Sequence, residues 1–148
     1  MQYCRNCPDA VARIQGGMEV SRLSGCVQFY QQKDCVLIVA EILELPMESK
    51  SDFFGFHIHQ GENCSGTDFS GTGSHYNPVD QIHPKHAGDL PPLMCCRGNA
   101  YLAVKTDRFT VRDIIGKSVV IHSDPDDFHT QPAGNAGKKI ACGVICKG

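Results

Sequence analysis

Two imidazoles stand two residues apart in His57-Ile58-His59. If Phe53 to His59 is a strand, alternate side chains point to opposite faces, so His57 and His59 share one face while Phe56 and Ile58 look into a core. A helix would turn the pair apart. Alone, such a pair reads as readily as two polar groups on a solvated strand face. A second group follows closely, with His75, His83, His86 and Asp89 all inside residues 75–89. Three neutral imidazoles and a carboxylate form a tetrahedral donor set suited to zinc, and four protein ligands would make that site closed and structural. The ordinary alternative is a polar loop that is merely rich in histidine.

These groups need elements to position them. The chain falls into short apolar runs separated by Gly, Pro, Asp and Asn, with little helical periodicity. Strands are expected at Val11 to Gln15, Gly25 to Gln32, Cys35 to Leu45, Phe53 to His59, Asn99 to Val104, Ser118 to His122 and Ile140 to Ile145. Thr110 to Ile115 suits a short helix or a turn. Many short strands between turn signals predict an all-β, antiparallel sandwich or barrel. Residues 60–92 do not fit the strand pattern: they are Gly- and Pro-rich and too polar to order themselves. Metal is the obvious candidate for what holds them. A second long loop, residues 123–139, follows the strand ending at His122.

The 148 residues suit one domain with a real core. A net charge of -2 without a basic stripe argues against nucleic acid as a partner. No apolar run is long enough for a membrane span. The first residues lack the apolar stretch of a signal peptide, so a cytoplasmic location is expected. Nine cysteines are many for such a location, and a reducing compartment would leave most as thiols, metal ligands or small core residues. Cys4-Arg5-Asn6-Cys7 could be half a zinc site or a redox pair, but it reads more simply as part of a tail over residues 1–8, ahead of a domain over residues 9–148.

Five blocks together carry a resemblance. They are Gly55-Phe56-His57-Ile58-His59, Ser74-His75-Tyr76-Asn77-Pro78, His86-Ala87-Gly88-Asp89-Leu90, Val120-Ile121-His122, and the run from Gly134 to Gly143. In order and register they resemble the copper/zinc superoxide dismutase family, in the form of a bacterial-like member, from about Asp9 onward. The resemblance implies a Greek-key β-barrel of about eight strands and an oxidoreductase that disproportionates superoxide to oxygen and hydrogen peroxide. It implies copper on His57, His59, His75 and His122, a donor set that suits Cu(II). It implies zinc on His75, His83, His86 and Asp89, with His75 shared between the metals and acting in catalysis. Asp126 would hold ligands of both metals, and Cys64 and Cys142 would form a disulfide, although a cytoplasmic location favours two free thiols. Family members are commonly dimers, so the resemblance allows a homodimer, but no interface stripe is evident and the sequence leaves the oligomeric state open.

The chain departs from the family pattern in three places. Lys139 stands where an arginine usually attracts superoxide, keeping the charge but losing the planar fork. Only Pro84 and Lys85 separate His83 from His86, which predicts a tight zinc turn. Cys95, Cys96, Cys146 and His129 match no family role. Two other functions compete: a non-catalytic copper- or zinc-binding module for storage, sensing or delivery, and a purely structural zinc protein with His57, His59 and His122 idle.

Overall fold

A computed structural model describes residues 7–148. Cys4, and with it the CxxC expectation, lies outside the described residues, whereas Cys7 is described and exposed. Strands β1 (Ala10–Gly16), β2 (Ser24–Gln31) and β3 (Val36–Leu43) form an antiparallel meander. Next come β4 (Phe53–Phe54), β5 (Phe56–His59), β6 (Leu93–Met94), β7 (Ala100–Thr106), β8 (Ser118–His122) and β9 (Lys139–Lys147). Seven of them make one sheet in the order β5-β8-β9-β1-β2-β3-β7, so the chain crosses from β3 to the far edge at β5 and returns to β7. Such crossings between non-neighbouring antiparallel strands are Greek-key connections. The ribbon β4-β6 joins the two edges: β4 runs into β5, and β6 packs on β7. The sheet is therefore curled into the expected barrel.

Alternation builds the core. Val27 and Phe29 of β2, Val36, Ile38, Ala40 and Ile42 of β3, and Phe56 and Ile58 of β5 all point inward and are fully buried. The expected strand over Phe53 to His59 is broken at Gly55, whose N–H donates to Asp124 and whose carbonyl accepts from His122. A side chain there would crowd Ala136 and His122, so glycine lets the second loop lie against the strand. Val111–Ile114 forms a short α-helical turn, α1, with Thr110 and Asp113 making a capping box. No helix among the described residues is long and apolar enough to cross a membrane.

Candidate metal centre

Residues 60–92 hold little regular structure, yet they lie tight on β5. Tyr76 N–H donates to Ile58 O, Ile58 N–H to Gly88 O, and Gly88 N–H to Tyr76 O, bringing two stretches of the loop onto one strand residue. A Cβ at Gly88 would collide with the Ile58 carbonyl, so only glycine permits this approach. The disulfide between Cys64 and Cys142 ties the loop to β9. Beside it, Phe69 packs on Val120 and Cys142 in a small apolar cluster of its own. The outward-facing side of β5 and β8, where His57, His59 and His122 sit, is thus roofed by the loop, and those three histidines are buried.

Two donor groups form beneath this roof. In one, single ligating atoms of His57, His59, His75 and His122 lie within 4.8 Å of one another; in the other, those of His75, His83, His86 and Asp89 do. His75 belongs to both. Its Nδ1 lies 2.7 Å from Asp89 Oδ1 and 3.4 Å from His86 Nδ1, while its buried Nε2 has no hydrogen-bond partner. Each of its ring nitrogens is thereby committed to a different group. A register shift between Ile121 and His122 pairs His122 with Lys139 and brings both to the mouth of the first group.

Asp126 lies between the groups. One carboxylate oxygen accepts from His57 Nε2 at 2.7 Å and the other from His83 Nε2 at 2.8 Å. Both bonds fix the tautomer, leaving lone pairs at His57 Nδ1 and His83 Nδ1 without hydrogen-bond donors in a buried site, the latter 3.0 Å from the Asp89 Oδ2 that also offers a lone pair. Gly134, at φ +69°, leaves the space that this carboxylate and the His83 ring occupy. His59 donates from Nδ1 to Gly73 O at 2.8 Å, which points its Nε2 at His122 Nε2, 3.2 Å away.

The electrostatics follow from burial. Desolvation pushes His59 down to about 2 and His122 to about 3, and it lowers His57 despite the opposing bond to Asp126, so these rings are neutral and able to ligate. Burial alone would raise Asp126 and Asp89, but hydrogen bonds from His57 and His83 to Asp126, and from His75 to Asp89, outweigh it and hold both carboxyls below the usual range. Lys139 Nζ donates to Thr72 Oγ1 at 2.8 Å and Gly73 O at 2.9 Å. It lines a cleft of about 760 Å³ with His59, His75 and His122. Partial burial lowers the Lys139 pKa, and the Asp68 carboxylate opposes that shift.

Unpartnered buried ring nitrogens are costly unless something accepts their lone pairs. The donor sets fit metals of different kinds: four imidazoles suit Cu(II), and three imidazoles with a carboxylate suit tetrahedral Zn(II). Each group has four protein donors, and the first faces an open cleft through His59, His75 and His122, with His86 of the second at its edge. His129 is exposed on the second loop and stands outside both groups. Cys26, Cys35, Cys95, Cys96 and Cys146 are free thiols. Sequence reasoning missed Arg108 and Gln131. Arg108 bonds to carbonyls of the loop, and Gln131 pairs its carboxamide with both the N–H and the carbonyl of His83. Neither residue stands in a motif, and only the folded chain brings them to the loop.

Comparison with known proteins agrees with this geometry. Residues 23–145 match the family model described as copper/zinc superoxide dismutase (SODC). Superoxide dismutase [Cu-Zn] 1 of Aquifex aeolicus is 35% identical over 136 residues, covering 82% of this chain and 79% of that protein. Superoxide dismutase [Cu-Zn] 3 of Arabidopsis thaliana is 33% identical over 154 residues, covering 92% and 88%. Such relatives span bacteria and plants and do not single out a bacterial-like subtype. The crystal structure of a double mutant of a SOD-like protein from Bacillus subtilis superposes with a TM-score of 0.77 at 24% identity, covering 92% of this chain and 96% of that one, which shows the shared fold. With that match across most of its length, the chain belongs to the copper/zinc superoxide dismutase family.

Proposed function

We propose that the chain disproportionates superoxide to oxygen and hydrogen peroxide, with His57, His59, His75 and His122 holding copper and His75, His83, His86 and Asp89 holding zinc. The observation that carries this reading is the His75 ring, whose two nitrogens are committed to different donor groups. Bound copper would supply the one-electron chemistry of the reaction, and zinc would supply a fixed positive charge on the other side of the shared ring.

The chain's own residues do the remainder. Lys139 presents a cation in the cleft beside His59 and His122, where a small anion is drawn in although the whole chain is net negative. Gly73 O accepts from both Lys139 Nζ and His59 Nδ1, so one carbonyl sets the cation and a copper-side ring in register. His75 Nε2, buried and without a hydrogen-bond partner, offers one lone pair on the copper side of the shared ring, and that lone pair would hold a proton only when it does not hold the metal. Asp126 locks His57 and His83 in the tautomers that ligation needs. A storage or delivery module has no use for a cation in an open cleft beside the four-histidine set, and the structural zinc reading leaves that set unexplained.

The test is to load the purified chain with both metals and measure superoxide removal. Robust turnover that is lost in His122→Ala supports the reading. Fully loaded protein without turnover contradicts it. A homodimer, which the family resemblance allows, and a cytoplasmic location, which the sequence leads one to expect, belong to the same proposal. Light scattering at twice the chain mass, and recovery in the cytosolic fraction, are the respective expected results.

A further inference from the structure

The second donor group sits on a turn held from outside at both ends, by Gln131 at His83 and by Ile58 and Tyr76 at Gly88, with little inside it to hold its shape. His83, His86 and Asp89 are spaced by threes along residues 83–89, a stretch without helix or strand. Its internal bonds are few: Asp89 N–H donates to His86 O, and His86 N–H to Asp89 Oδ2. The carbonyls of Pro84, His86 and Asp89 all turn toward a single atom, Nη1 of Arg108, at 3.0, 3.0 and 3.4 Å. Three converging carbonyl oxygens repel one another unless a donor stands among them. A guanidinium is the side chain for that place, since it is always charged, carries five donors and has no acceptor.

Arg108 is delivered there by the barrel, not by the loop. It lies two residues past the end of β7, its own N–H is bonded to Thr106 Oγ1 at 3.2 Å, and the next residue, Phe109, is buried in the core. No salt bridge engages its guanidinium among the described residues, so its charge is directed to those carbonyls. With the carbonyls drawn outward to Arg108, the His86 N–H points inward and orients the Asp89 carboxylate. We propose that Arg108 is the positioning residue of the zinc turn: it preforms residues 83–89 so that His83, His86 and Asp89 meet the metal without reorganisation. This rests on the reading above that those residues hold zinc. His57, His59 and His122 stand on strands and do not depend on it.

The test uses the full chain stripped of metal and titrated with zinc alone against a chromophoric chelator, then with copper alone. Arg108→Met is expected to weaken zinc by about tenfold or more while copper changes by less than about threefold, in the range typical of lost outer partners of a metal ligand. Arg108→Lys, which keeps the charge, is expected to recover part of the loss. Cobalt(II) in place of zinc gives a spectroscopic check, as its visible bands should shift in Arg108→Met. Unchanged zinc affinity, or equal losses for zinc and copper, overturns the proposal. His86→Ala separates the two levels: if it loses zinc while Arg108→Met does not, only the role of Arg108 falls, and if it keeps zinc, the ligand assignment falls with it.

Discussion

At the scale of single residues, the site is organised by groups that touch no metal. Asp126 uses both carboxylate oxygens, one for each donor group, and an amide in its place offers only one acceptor oxygen. Asp126→Asn is therefore expected to weaken copper and zinc together, by roughly 10- to 100-fold each, as read by chelator competition. In the proposed function Lys139 acts differently, through its field. Lys139→Gln should leave both metals bound but lower kcat/KM about tenfold at low ionic strength and flatten its dependence on salt, as read by stopped-flow superoxide decay. A salt dependence unchanged in that variant would remove Lys139 from the role of attracting the anion.

At the scale of elements, the strands were legible because alternation is a local signal: Val27 and Phe29, or Ile38, Ala40 and Ile42, announce their inward face in the sequence itself. His57 and His59 were legible for the same reason, by their spacing on such a strand. The break at Gly55, the two-residue strand β6 and the shifted register at His122 were not legible, since each is decided by a partner distant in sequence. The roles of Arg108 and Gln131 were hidden likewise, because carbonyls converging on one point carry no signature in residue type. The pairing of Cys64 with Cys142 came from family resemblance, and the joined residues are 78 apart. A crosslink over so long a span should stabilise by roughly 4 kcal/mol through loop closure, so Cys142→Ser is expected to lower the urea midpoint of the metal-free chain markedly.

At the scale of the whole molecule, the fold buries groups that acid must charge. His59 and His122 fall from 6.5 to about 2 and about 3 on burial, so below pH 6.5 the unfolded chain binds more protons than the folded one. The stability they permit is present above pH 6.5 and is lost as pH falls toward about 3. The lowered Asp89 and Asp126 act in the same direction, further into acid. The urea midpoint of metal-free protein should therefore drop steadily from neutral to mildly acidic pH. Fully metallated protein should hold its midpoint to lower pH, because protons must first displace the metals. Coincident curves for the two forms would show that these rings do not hold metal.

The central claim is that two different metals share the ring of His75. Anomalous diffraction from a crystal of loaded protein, collected on both sides of the copper and zinc edges, tests it most directly. The expected result is a copper peak among His57, His59, His75 and His122 and a separate zinc peak among His75, His83, His86 and Asp89. A single peak, or zinc alone with the four-histidine group empty in copper-loaded protein, would contradict it.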